Sequence, residues 1–128
     1  MSTLKADTIQ STGGGAATLT KQSAAKSFAT CVSNASPVTI DGSLNISSVT
    51  DAGTGNFSPQ FSSAMSNDDY SIVATGANNG STSQTISVGN SDYNESTSTT
   101  SFRLSCTDDG NAQDDGRRLC FNTHGDLA

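Results

Sequence analysis

The chain has 128 residues and a mass of 13.0 kDa, which fits one compact domain and leaves no room for a second. Six Lys plus Arg against twelve Asp plus Glu give a formal charge of −6, so there is no basic field to gather nucleic acid or anionic lipid. No run approaches the roughly 18 apolar residues of a bilayer-spanning helix, and the opening MSTLKADTIQ lacks the apolar stretch of a secretion signal. A soluble protein made in a cytosol, with no membrane insertion, is the expectation.

Residues 1–26 read as a segment of their own. Leu4, Ile9 and Leu19 are scattered around a Gly13-Gly14-Gly15 run that is costly in a helix, and they are too few to form a core. The segment reads either as a flexible leader or as an extended arm that becomes ordered by docking on a neighbouring chain or larger assembly, the arm being the expected role, with Leu4, Ile9 and Leu19 as its contact residues. A head domain is expected over 27–128.

From Phe28 onward the apolar residues alternate in short runs, the period-2 signature of half-buried strands. Strands are predicted near 27–33, 37–41, 43–49, 56–62, 70–75, 84–89, 99–106 and 117–123, the second and third being readable as one strand kinked at Asp41-Gly42. Turn chemistry falls between them at Asp51-Ala52-Gly53, Asn78-Asn79-Gly80 and Asp108-Asp109-Gly110. Ser and Thr make up about 30% of the chain and charged residues only 14%, a composition that favours strands and turns over helix interiors. The predicted fold is therefore all-β: an antiparallel β-sandwich or jelly roll of about seven to eight short strands with an extended N-terminal arm. Leu, Ile, Val and Phe supply only about 16% of the residues, a thin core for a chain that must offset about 1–2 kcal/mol of ordering entropy per residue. An obligate oligomer that buries Ser/Thr-rich strand faces between copies is expected on that ground.

Chemistry-bearing motifs are few. His124 stands alone near the C-terminus with no nucleophile signature beside it, and Cys31, Cys106 and Cys120 show no metal-ligand spacing. No catalytic residue, metal site or cofactor is assigned, and no enzyme activity is expected. Cys106 and Cys120 flank an acidic loop on what read as neighbouring strands, which leaves free thiols or a bridge between them as alternatives. That loop, 108–115, groups carboxylates in a way that suits either a calcium ion or a solvated hairpin tip. Three loops carry the candidate receptor contacts: 78–83 with Asn79, 90–98 with Asp92, Tyr93 and Asn94, and 108–115 with Asp109 and Asn111. Their amide, carboxylate and phenol groups can hydrogen-bond saccharide hydroxyls, and Tyr93 is the one aromatic placed on a polar loop. Tyr70, in an alternating run, reads as core.

Several stretches resemble a known family. Residues 2–10 (STLKADTIQ), the Gly-rich stretch and residues 24–28 (AAKSF) are similar to the "LKVDTIQ" leader and "AKAW" first strand of small fibre and tail-fibre-type proteins of tailed bacteriophages, especially marine ones. Residues 42–57 (GSLNISSVTDAGTGNF) resemble the family's "SFNVSSITDNGTGDYTV". Residues 61–73 (FSSAMSNDDYSIV) resemble its "FTTAMPDANYSVV", and Phe102-Arg103-Leu104 its penultimate strand. The likeness runs along nearly the whole chain in order and spacing. The chain departs from the pattern in having Phe28 as its aromatic, expected in a core position, and Ser66 where the family has proline. The resemblance implies a homotrimeric virion protein made in the host cytoplasm: a short fibre or fibre head that meets host surface glycans, docked to other virion proteins through its arm. A capsid-surface decoration protein and a free lectin-like carbohydrate-binding module are the alternatives.

Overall fold

The computed structural model describes residue 13 and residues 25–77, 85–88 and 97–128. Among these no helix forms. Eight strands build two four-stranded antiparallel sheets that face each other as a β-sandwich: β1 (Ser27–Val32), β2 (Thr39–Leu44), β3 (Ile46–Asp51), β4 (Asn56–Phe61), β5 (Ser71–Ala77), β6 (Thr85–Val88), β7 (Leu104–Thr107) and β8 (Arg118–His124). One sheet has the order β2-β1-β8-β5 and the other β3-β4-β7-β6. Each expected strand has a counterpart, but the one expected over 99–106 is regular only from Leu104, and Phe102 forms an isolated bridge with Thr97.

The division between β2 and β3 falls elsewhere than expected. Asp41-Gly42 lies inside β2, where Asp41 is the extra residue of a bulge opposite Thr30 and Cys31, and the chain changes sheets at Asn45. Asn45 adopts φ 55°, a left-handed conformation that Asn tolerates better than most residues. Its side chain holds the corner by accepting from the Ser63 N–H (2.7 Å) and donating to the Ser63 carbonyl (3.1 Å). The corner thus rests on an amide that pairs with a distant strand end, which local turn statistics do not register.

The core lies between the sheets and centres on aromatic rings. Phe102, 1% exposed, packs edge-to-face on Phe121 of β8 at 5.2 Å between centroids, and against Phe61 of β4 at 5.5 Å and Tyr70 at 6.3 Å. Leu104, Leu119, Phe57 and Met65 are fully buried with it. Tyr70 is buried as expected, and its hydroxyl lies 2.9 Å from the carbonyls of both Ser98 and Ser101. Buried hydroxyls are paired too: Ser27 with Thr123 at 2.8 Å, and Ser33 donating to the Gly116 carbonyl.

Phe28 is a correction. It does not fill a core position: β1 turns Ser27, Ala29 and Cys31 inward and leaves Phe28 43% exposed on the outer face of its sheet. The reason is its neighbour. Ala29 and Ala74 flank Phe121 from the two adjacent strands, and so large a ring needs small residues beside it on the inward face. Leu44, at the end of β2, is likewise 49% exposed.

Phe102 is the ring that the others share. Its replacement by alanine removes buried apolar surface and leaves a void that both sheets border, so Phe102→Ala is expected to destabilise the fold by about 3–5 kcal/mol. Equilibrium urea unfolding followed by circular dichroism measures this as a fall in midpoint at unchanged slope.

Candidate functional site

Two surfaces carry features beyond the packing of the sandwich. The first is the acidic loop between β7 and β8, built from the backbone outward. Asp108 nucleates the turn: its Oδ1 accepts from the N–H groups of Gly110 (2.9 Å) and Ala112 (2.8 Å), and its own N–H donates to the Ala112 carbonyl (2.9 Å). Asn111 takes φ 63° and donates its N–H to the Asp108 carbonyl (3.1 Å), so this Asn serves where a left-handed residue is required. Asp109 and Asn111 are exposed at the tip.

The base of the tip is clamped to the β3–β4 turn. Gly55 donates its N–H to Asp115 Oδ1 (2.5 Å), while its carbonyl accepts from the Cys106 N–H (2.7 Å). Asn56 Nδ2 donates to Gln113 Oε1 (2.6 Å), and Asp114 donates its N–H to the Cys106 carbonyl (3.2 Å). Gly55 is required there on two counts. Its φ is +69°, and a Cβ at this position would stand 2.4 Å from the Cys106 carbonyl oxygen. The Asp108 and Asp115 carboxylates are therefore occupied by backbone N–H groups. Among the described residues no group of three or more His, Cys, Asp or Glu side chains is gathered as metal ligands would be.

The structure separates Cys106 from Cys120. They do not lie on neighbouring strands: β7 and β8 belong to opposite sheets, Cys106 faces the core and Cys120 the outside, and Cys31, Cys106 and Cys120 are all free. The spacing suggested a pair because the loop between them is short, but the chain crosses from one sheet to the other within that loop. Burial pushes the Cys106 thiol up to about 12, with Asp115 and Asp114 adding to the shift. Burial likewise raises Cys31 to about 11, with smaller contributions from Cys120 and Asp41.

Of the other expected contact residues, Asn79, Asp92, Tyr93 and Asn94 lie outside the described residues, as do Leu4, Ile9 and Leu19 of the arm. What is described is the base of the 90–98 loop. Thr97 bridges Phe102, Ser98 donates its N–H to the Ser101 carbonyl (2.8 Å), and the Tyr70 hydroxyl reaches both carbonyls of that turn.

The second surface is the outer face of the β2-β1-β8-β5 sheet, which the sequence reading did not single out. Antiparallel register sets Leu44, Phe28, Asn122 and Val73 in one row across the four strands, and Thr30, Cys120 and Thr75 in the row beside it. Between them runs an open groove of about 240 Å³. Asn122 Oδ1 is buried at its floor without a hydrogen-bond partner. Such an atom costs free energy until a donor reaches it. Across β1, Arg118 pairs with Asp41 at 2.9 Å.

No family model, curated protein or solved structure matches the chain.

Two outcomes follow from the clamp and the thiols. Gly55→Ala forces a side chain into a left-handed position against the Cys106 carbonyl, and is expected to cost at least about 1–2 kcal/mol in urea unfolding from the backbone conformation alone. The thiols set an alkaline limit. In the unfolded chain they ionise near 9.0, but in the folded chain only near 11 and 12, so the folded state retains protons that the unfolded state has released. Their contribution is complete below about pH 9 and is lost as pH rises toward 11–12. Urea midpoints measured from pH 7 to 10.5 should hold level and then fall, and Cys31→Ala with Cys106→Ala should flatten that fall.

Proposed function

We propose that the chain is a non-enzymatic virion structural protein of a tailed bacteriophage, a short fibre or fibre-head module that assembles as a homotrimer and contacts host surface glycans. The observation that carries the reading is the β7–β8 tip. Its two outermost polar side chains, Asp109 and Asn111, are displayed on a turn whose backbone is tied down by Asp108 and, at its base, by Gly55, Asn56 and Asp115. A rigid loop that presents a carboxylate and an amide to solvent recognises hydroxyl-rich ligands without the entropy of ordering a mobile one.

The rest of the molecule suits the same role. A sandwich whose surface is largely Ser, Thr and Asn offers hydroxyls and amides with few charges, and the order and spacing of the fibre-like motifs along the chain support the phage assignment. In this reading residues 1–26 are the docking arm, with Leu4, Ile9 and Leu19 as its contacts, and the remaining loops, with Asn79, Asp92, Tyr93 and Asn94, extend the glycan-facing surface. The described strands open just after it: Lys26 donates its N–H to the Thr123 carbonyl (2.8 Å), and the buried Ser27 begins β1.

The test has two arms. Antibody raised against the recombinant chain is expected to label particles whose genome encodes it, and deletion of residues 1–25 to leave a folded protein that no longer incorporates. Particles free of label would refute the virion assignment. For the tip, the full chain is applied to an array of bacterial surface polysaccharides. Asp109→Ala combined with Asn111→Gly, which keeps the left-handed φ while removing the amide, should lower binding at least about tenfold with unchanged circular dichroism. Binding that survives both changes would take glycan recognition away from this loop.

A further inference from the structure

The described residues include four large apolar side chains that are conspicuously exposed: Phe28, Leu44, Val73 and Leu127. Three of them fall in the single row Leu44, Phe28, Asn122, Val73 on the outer face of the β2-β1-β8-β5 sheet, at 49%, 43% and 56% exposure for Leu44, Phe28 and Val73. At the usual strand separation this row is about 14 Å across. A chain with so little hydrocarbon to spare has set three of its larger apolar groups together in water. The amide among them has a buried acceptor that no group among the described residues satisfies. Both features are relieved by the same event, the arrival of a surface that excludes water from the row and brings a hydrogen-bond donor to Asn122 Oδ1.

Charge selects the occupant. The chain carries a net charge of −6, yet Asp41 is the one carboxylate on the strands of this sheet, and it is paired with Arg118. The sheet face is thus close to neutral in a protein that is acidic elsewhere. A second acidic molecule of the same kind meets like charge on most approaches but not on this one. A saccharide fits less well, since Leu44 and Val73 at the ends of the row have no group to offer its hydroxyls.

We propose that the outer face of the β2-β1-β8-β5 sheet is the surface on which a second copy of this chain seats, with Leu44, Phe28 and Val73 as its apolar contacts and Asn122 accepting a hydrogen bond from the neighbour. This rests on the homo-oligomeric reading above and names the face that reading leaves open. Cys120 lies in the groove and reports on its coverage, because Cys31 and Cys106 are buried in the core.

The experiment uses the full-length chain at micromolar concentration, with mass read by light scattering and Cys120 reactivity by maleimide labelling. The wild type is expected to be an oligomer. Val73→Lys, and independently Leu44→Lys, should shift it to monomer with retained β-sheet circular dichroism and label Cys120 at least about tenfold faster. Both positions point to water in the protomer, so one of the two variants suffices if the other does not fold. An oligomer whose mass and labelling rate survive both substitutions would overturn this face while leaving the oligomeric reading intact. A wild-type monomer with fast labelling would overturn both. A wild-type monomer in which Cys120 is protected would also refute the second copy, and would assign the cover to another part of the same chain.

Discussion

The fold depends on the contact of one ring with three others. Phe102 belongs to no regular strand, yet it touches Phe121 from one sheet, Phe61 from the other and Tyr70 from the connection between β4 and β5. Edge-to-face packing of this kind adds about 0.5–1.5 kcal/mol per pair beyond the area buried. Its larger effect is geometric. Two sheets lie about 10 Å apart when bulky side chains interdigitate between them, and in this chain five aromatic rings supply much of that bulk: Phe57, Phe61, Tyr70, Phe102 and Phe121.

Scarcity of hydrocarbon shapes what surrounds the rings. Ser27, Ser33, Ser105 and Thr123 are buried where a richer sequence would place Val or Leu. A hydroxyl in the interior is tolerable only when bonded. Ser27 and Thr123 therefore meet across the β1–β8 ladder, and Ser33 reaches the Gly116 carbonyl. These pairs make the interior more specific without making it much stronger, since a hydrogen bond contributes only about 0.5–1.5 kcal/mol net. The clamp of Gly55 and Asn56 on the β7–β8 loop follows the same economy, closing one end of the sandwich with backbone and amide groups.

Strand positions were legible in the sequence because alternation and turn residues are local signals. The Asp51-Gly55 and Asp108-Asn111 turns stand where their chemistry indicated, and Tyr70, Leu104, Leu119 and Phe121 are inside as their period required. What was not legible is which face of β1 looks inward. The period-2 pattern of Phe28, Thr30 and Val32 is as good an inward stripe as Ser27, Ala29 and Cys31, and hydrophobicity alone chooses the first. The choice is made by pairing with β8, whose partners cannot be read before the sheet order is known. The same blindness to sheet order made Cys106 and Cys120 look adjacent. Of the candidate site, the tip residues Asp109 and Asn111 were visible from their composition. The groove was not, because it is assembled from four strands that are far apart in sequence.

The two faces of the β2-β1-β8-β5 sheet are consequences of each other. On the inward face β8 carries the bulk: Phe121 lies between Ala29 and Ala74, and Leu119 between Cys31 and Gly76. Because side chains alternate along a strand, the small residues that β1 and β5 set beside Phe121 and Leu119 have outward-facing neighbours, and there Phe28 and Val73 stand on either side of Asn122. High walls over a low polar floor make a groove. The packing that accommodates the Phe121 ring in the core is thus the same packing that exposes an apolar row outside it. Selection for solubility alone could have placed Ser or Thr at positions 28, 44 and 73, as it has at so many others in this chain, with no loss to the interior. No contact among the described residues accounts for their apolar character, and a surface that covers the face gives it a physical reason.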